Sequence, residues 1–307
     1  QALARCITEG LELAKLPGAV VQVAPTASRS FIDIMIGGTK PMCDIVIPRG
    51  GQGLIQRISQ DAKVPVIKHL DGNCHVYVDS DADLDKALRI LENSKTHRYG
   101  VCNAAESFLI NEKIANEFLP RLAAMLNHHN VEIRGCDRVC GILTGVKRAT
   151  LEDWVTEYLG PVVAIAIVNT TEDAIRHINK YGSHHTDAIV SENYAANRAF
   201  LAAIDSASVI VNASTRFADG FEYGLGAEVG ISTDRIHVRG PVGLKGLTNE
   251  KWVVLGDGDD WVTSFGGKGG NQAVAAKRAG VEVRMIGCLG DDEQARQYRE
   301  HLGEEGI

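Results

Sequence analysis

Val162-Val-Ala-Ile-Ala-Ile-Val168, Thr186-Asp-Ala-Ile-Val190 and Ala207-Ser-Val-Ile-Val211 are three short runs rich in valine and isoleucine, and the segments between them, 172–180 and 194–204, read as helices. Apolar runs of this length suit strands buried on both faces. Thr170 is placed to cap the first helix and Gly182 to end it. Strands and helices in alternation predict an α/β fold with a largely parallel sheet, because parallel neighbours need a crossover between them.

Working outward, residues 2–14 carry Leu3, Ile7, Leu11 and Leu13 at near-helical spacing, stopped by Pro17 and Gly18. Residues 20–23 read as a short strand. Asp44-Ile-Val-Ile-Pro48 reads as another, followed by the turn Arg49-Gly-Gly-Gln-Gly53 and a helix over 54–62. Such a turn gathers backbone N–H groups and the positive end of a helix, which suits a phosphate held by Arg49, Gly50 and Gly51. A strand-to-helix turn without any ligand accounts for the same residues. Segments 64–67 and 75–79 read as strands joined by the polar turn His69-Leu-Asp-Gly-Asn-Cys74, with Val76 and Val78 alternating against His75, Tyr77 and Asp79. Ser80 or Asp81 is placed to cap a helix carrying Leu84, Leu88 and Leu91 on one face. A helix over 112–126 buries Phe118, Leu122 and Leu126, and 127–150 reads as irregular.

The chain has 307 residues, 45% hydrophobic and 23% charged, enough for more than one core. A formal net charge of -7 gives no general basic surface, so neither nucleic acid nor an acidic membrane is an expected partner. The longest apolar run, residues 162–168, is far too short to span a bilayer. Seven cysteines at irregular spacings do not form a disulfide framework and point to a reducing cytoplasm. The spacing of Cys136 and Cys140, with His128 and His129 nearby, fits no strong zinc pattern, and no metal is expected.

Between the helix after Asp81 and the helix after Glu112 lies Lys95-Thr-His-Arg-Tyr-Gly-Val-Cys-Asn-Ala-Ala-Glu106. Cys102, flanked by Gly100 and Asn103, sits where the backbone can turn sharply and present a thiol. Local sequence leaves two readings open: a nucleophile, competent as its thiolate, or a buried structural cysteine.

Four blocks narrow the choice: Lys68-His-Leu-Asp-Gly-Asn-Cys-His-Val-Tyr-Val-Asp79, the Cys102 stretch, Tyr181-Gly-Ser-His-His-Thr-Asp-Ala-Ile-Val190, and Val211-Asn-Ala-Ser-Thr-Arg-Phe217 with Gly224-Leu-Gly-Ala-Glu-Val-Gly-Ile-Ser232. Together they resemble the gamma-glutamyl phosphate reductases of the aldehyde dehydrogenase superfamily, over about residues 1–258. The resemblance implies an aldehyde dehydrogenase-like α/β fold: the remainder of a Rossmann-type cofactor domain over 1–79, a catalytic domain over 80–225, and a return segment with an oligomerisation strand over 226–258. It implies NADPH-dependent reduction of L-glutamyl 5-phosphate to L-glutamate 5-semialdehyde, a step of proline biosynthesis. Cys102 falls on the family's nucleophile, with Asn103 beside it. Glu157, in Glu157-Tyr-Leu-Gly-Pro161, falls on the glutamate that holds the nicotinamide ribose. His69 stands where other superfamily members carry a water-activating glutamate, and is read as a phosphate-binding or a structural histidine. Arg216 is the expected partner of the substrate α-carboxylate, with Asn212 beside it and His185 a further candidate. Lys251-Trp-Val-Val-Leu-Gly256 resembles the strand through which relatives form homo-oligomers. Relatives carry further cofactor-domain strands and a side-chain oxyanion donor before the point matching Gln1, so the chain by itself is expected to be weakly active or inactive.

From about residue 264 the pattern changes. Phe265-Gly-Gly-Lys-Gly-Gly-Asn271 and the residues after it, as far as Asp292, resemble the sugar-binding start of ribokinase-type carbohydrate kinases, in which residues matching Gly267, Lys268 and Asn271 contact sugar hydroxyls. This part, residues 259–307 with its junction, covers a helix, a strand and part of another helix, so kinase activity is not expected.

Overall fold

In the computed structural model of the chain, residues 2–26, 28, 30–37, 42–236, 238–253 and 267–307 are described. They fall into two compact units, residues 1–249 and 250–307.

The first unit is built on seven parallel strands: β1 (Cys74–Val78), β2 (Ala105–Asn111), β3 (Glu132–Gly135), β4 (Lys147–Arg148), β5 (Val162–Val168), β6 (Thr186–Val190) and β7 (Ser208–Val211). Their spatial order is β4-β3-β5-β2-β1-β6-β7, so β1 and β2 lie at the centre. Two further strands, β8 (Gly230–Ser232) and β9 (Gly240–Val242), form an antiparallel pair. The helices of this unit are α1 (Ala2–Leu13), α2 (Ser30–Gly37), α3 (Gln52–Asp61), α4 (Leu84–Thr96), α5 (Glu112–His128), α6 (Asp137–Ile142), α7 (Thr171–Tyr181) and α8 (Tyr194–Ala203).

Both faces of the sheet are covered. Val76, Val78, Phe108 and Ile110 pack with Leu91 of α4 and with Phe118 and Leu122 of α5, while Tyr77 and Leu109 pack with Ile178 of α7 and Phe200 of α8. The alternation along β1 therefore separates two buried faces, not a buried face from a wet one. Its polar members are satisfied in place: the Tyr77 hydroxyl donates to Asp79 Oδ1 at 3.0 Å and accepts from Asn111 Nδ2 at 3.1 Å. Burial of each large apolar side chain contributes about 1.5–3 kcal/mol.

Several local expectations are corrected. The cap of α4 is Asp83, whose carboxylate accepts from the N–H groups of Asp85 and Lys86. Asp81 is engaged elsewhere, accepting from Asn193 Nδ2. Residues 127–150 hold β3, α6 and β4, elements too short to show a period. Residues 20–23 form no strand: Val20, Val21 and Val23 are exposed and a 3-10 turn covers Gly18–Val20. The strands expected at 44–48 and 64–67 reduce to one parallel bridge, Val46 to Val66, where Pro48 and Pro65 remove ladder donors. Among the described residues before β1, that bridge accompanies α1, α2 and α3.

In the second unit, α9 (Lys268–Arg278) and α10 (Glu293–Glu304) meet through small residues, Gly270, Ala273 and Ala295. An added Cβ at Gly270 would meet the Tyr298 hydroxyl at 2.0 Å, so the closeness of the two helices depends on that glycine. Residues 281–292 form no strand; Ile286 is fully exposed and no neighbouring strand is offered within the described part of this unit. Of the expected oligomerisation strand, residues 251–253 are not in a strand and 254–256 lie outside the described residues, as do the junction residues 257–260. Among the described residues no helix is long and apolar enough to cross a membrane.

Candidate active site

Strand register brings the site together. Cys74 at the start of β1 pairs with Ala105 at the start of β2, and His75 pairs with Asp187 of β6. The segments entering these three strands, 69–73, 97–104 and 183–185, therefore meet at the amino edge of the sheet. Cys102 lies in the second, in a tight turn where the Ala104 N–H donates to the Val101 carbonyl at 3.0 Å.

The backbone at Cys102 is clamped. Gly72 lies so close that an added Cβ would meet the Cys102 carbonyl oxygen at 2.0 Å and its Cα at 2.6 Å; no larger residue fits without moving the Cys102 turn. The Cys74 thiol donates to the same carbonyl at 3.2 Å. Cys74 is buried and held well above the usual thiol range by that burial, whereas Cys102 is half-buried and presents its sulfur. Below the turn, Lys95 of α4 and Glu106 of β2 form an ion pair with both side chains fully buried. These two residues bracket the Cys102 loop, and Glu106 also accepts from the Leu159 N–H at 3.3 Å.

Around the sulfur stand His69, His185, Glu157, Arg216 and Glu228. Glu157 Oε1 accepts from the Gly72 N–H at 2.9 Å, which ties this carboxylate to the clamp. His69 Nδ1 donates to the Ile231 carbonyl at 3.4 Å, and His185 Nδ1 bonds Thr186 Oγ1 at 2.8 Å. Burial lowers both histidines below their ordinary value, His185 to about 3, so both are neutral. Asn103 donates to the Ala218 carbonyl at 3.0 Å and its own carbonyl accepts from Thr215 Oγ1 at 2.7 Å. Its amide thus anchors the 3-10 turn Thr215–Phe217 that carries Arg216. Arg216 Nε donates to His97 Nδ1 at 3.3 Å.

One expected residue, Asn212, lies away from the sulfur. Asn212 follows β7 at the opposite, carboxyl edge of the sheet, with its amide on the backbone of Ser191; it does not join Cys102. Four residues of strand separate the two edges there, roughly 13 Å. Arg49 is exposed and donates to the Val229 carbonyl. Gly51 caps α3 with no side-chain hydrogen bond, and Gly50 has φ of 150°. In the second unit Gly267 caps α9 at φ 102°, followed by the exposed Lys268, and Asn271 donates its N–H to the Gly267 carbonyl.

Lys95, Glu106, Gly72, Cys74 and Glu228 were not singled out by sequence. Lys95 and Glu106 are the ends of the Cys102 stretch, and Glu228 lies inside a block that carries the family resemblance; that placement was the available signal.

The thiol of Cys102 is pushed up to about 11, by burial first and then by the negative charges of Glu157 and Glu228; its own backbone N–H and Arg216 pull it back. Alkylation of Cys102 by iodoacetamide should accordingly accelerate as pH rises toward that value. Near neutral pH, Glu157→Gln should speed it several-fold and Arg216→Gln should slow it, read by peptide mass spectrometry. Equal rates in all three chains would show that these charges do not reach the sulfur.

Residues 1–137 and 141–239 match the family model described as aldehyde dehydrogenase family, and residues 247–307 match that described as pfkB family carbohydrate kinase. The chain is similar to gamma-glutamyl phosphate reductase from Thermotoga maritima, with 46% identity and a TM-score of 0.80. That match covers 85% of this chain and 63% of the other, so the chain spans just under two thirds of that relative's length. It shares its fold with an acetylating aldehyde dehydrogenase from Geobacillus thermoglucosidasius, at 19% identity and a TM-score of 0.63 over 86% of this chain and 66% of that one. It shares it also with glyceraldehyde-3-phosphate dehydrogenase from Methanocaldococcus jannaschii, solved with NADP, at 20% identity and a TM-score of 0.55 over 70% and 55%.

Proposed function

Because the chain belongs to the aldehyde dehydrogenase family, we propose that its site reduces an acyl phosphate, L-glutamyl 5-phosphate, to L-glutamate 5-semialdehyde with NADPH, as a step of proline biosynthesis in the cytoplasm. The observation that carries this reading is the clamped turn that presents Cys102 beside Arg216 and Glu157, in a chain 46% identical to a gamma-glutamyl phosphate reductase.

The residues fit a dinucleotide in kind. The α3 N-terminus has no side-chain cap, and a Cβ at Gly51 or Gly53 would meet nothing within 4 Å, which leaves room for a phosphate against the backbone. Glu157 offers a half-buried carboxylate for ribose hydroxyls. NADPH, when bound, supplies the hydride. The chain's own part is nucleophilic. Arg216 favours the thiolate of Cys102 and pairs with the α-carboxylate, since a carboxylate leaving water needs a cation. The thiolate attacks the acyl carbon and phosphate departs, leaving a thioester on Cys102. The Cys102 N–H is a donor for the negative charge on the substrate oxygen. When the aldehyde forms, Cys102 leaves as thiolate.

Before β1 the described residues hold one bridge and three α-helices, α1, α2 and α3, where dinucleotide sites use the carboxyl ends of several parallel strands. We therefore expect weak dinucleotide affinity and slow turnover from this chain alone. NADPH oxidation with glutamyl phosphate, and phosphate-dependent reduction of NADP by the semialdehyde, test the reaction. Turnover of the order of 1–1000 per second would overturn the expectation of weakness; the absence of any covalent adduct at Cys102 with the acyl phosphate would overturn the reductase reading itself.

A further inference from the structure

Among the described residues, one ring nitrogen from each of His69 and His185 and the sulfur of Cys102 lie within 4.8 Å of one another. The three residues come from the three segments that enter β1, β2 and β6, so the sheet register holds the cluster and no single loop does. Each histidine is held through Nδ1: His69 Nδ1 is on the Ile231 carbonyl, and His185 Nδ1 is between Thr186 Oγ1 and the Cys74 sulfur at 3.8 Å, which leaves Nε2 of each for a ligand. Fixing a histidine by its second nitrogen is the arrangement that metal-ligating imidazoles use. His185 supplies an independent sign. It is 1% exposed, and its Nε2 is buried with no hydrogen-bond partner, a cost that a ligand at that nitrogen relieves.

We infer that His69, Cys102 and His185 form a site for a thiophilic divalent cation, Zn²⁺ by choice of ligands, which masks the Cys102 sulfur. Two imidazoles and one thiolate are a zinc donor set with a fourth position left open, and zinc keeps its nitrogen ligands near 2.0–2.1 Å and its sulfur near 2.3 Å. Neighbouring ligand atoms in a tetrahedron of that size are roughly 3.5 Å apart, so the cluster must tighten by about 1 Å. His69 and Cys102 are half-buried and can make that adjustment, while His185 stays fixed. The step is a ligand exchange: the S–H bond of Cys102 breaks, a Zn–S bond forms, and the proton passes to solvent. Metal binding does not depend on the reductase reading; only its inhibitory consequence does.

The test uses the full chain. Zn²⁺ at one equivalent should protect Cys102 from iodoacetamide, and a chelator should restore labelling. Co²⁺ in its place should give a thiolate-to-cobalt charge-transfer band that disappears in Cys102→Ala. In His69→Ala, Zn²⁺ affinity should fall at least about 100-fold, more than loss of an orienting partner alone. His69 is the histidine replaced because it is half-buried and its loss spares the core. No charge-transfer band, a band that survives in Cys102→Ala, or labelling indifferent to Zn²⁺ would overturn the site. If Cys102 binds metal yet forms no adduct with the acyl phosphate, the metal site stands and the reductase reading falls. If Cys102 turns over substrate and ignores Zn²⁺, the reverse holds.

Discussion

Cys102→Ala is expected to lower reduction of the acyl phosphate by on the order of 10³-fold or more, with the fold intact. Among the described residues at the amino edge of the sheet, the Cys102 sulfur is the half-buried thiol able to bond the acyl carbon and then leave. Cys74, the nearest other thiol, is buried, directed at a backbone carbonyl and held protonated. The contacts that shape the turn involve the Cys102 backbone, so truncating the side chain leaves the Gly72 approach and the Cys74 hydrogen bond in place. Initial rates and intact-mass analysis after exposure to acyl phosphate measure the effect. Wild-type chain should gain one acyl group and the variant none; a variant that keeps a tenth of the rate would remove Cys102 from the mechanism.

Above the pH at which Glu106 ionises, Lys95→Met should destabilise the first unit by about 3–5 kcal/mol, because it leaves the Glu106 carboxylate buried without its cation. Lys95→Met with Glu106→Leu should recover most of that loss, since two apolar side chains of similar volume avoid the desolvation of both charges. Burial pushes Glu106 up to about 7 although Lys95 pulls it down. Between its ordinary value of 4.5 and about 7 the folded chain therefore holds a proton that the unfolded chain has released. More protons on the folded state mean that stability falls as pH rises through this window and levels off above it. Urea midpoints at about pH 5, 6 and 7 should show that slope in wild type and a shallower one in the double variant. A single variant as stable as wild type, or equal slopes, would show that the pair does not carry this energy.

The alternation of short apolar runs and helices was readable because parallel strands covered on both faces need no polar side, and β5, β6 and β7 emerged near the expected positions. The α4 and α5 helices were readable from their apolar stripes, whereas β2, the central strand that follows Cys102, was not read from the sequence. Elements of two to six residues, β3, β4 and α6, were not, since they are shorter than one period of any pattern. Asn212 and Arg216 show the limit for the site. They are four positions apart in one block, yet the chain turns back between them, so one ends at the carboxyl edge and the other returns to Cys102.

The sequence by itself determined an α/β protein with a cysteine presented at a turn, because apolar periodicity and local turn chemistry are properties of neighbouring residues, and the aldehyde dehydrogenase kind came from its resemblance to that family. Only the tertiary structure decided what surrounds that cysteine. His69, Cys102 and His185 are far apart in the chain and meet because β1, β2 and β6 pair in register at their amino ends. Lys95 and Glu106 become a buried pair only when α4 docks on β2. Contacts of that kind come from the register of strands and the docking of helices, and no local pattern encodes them.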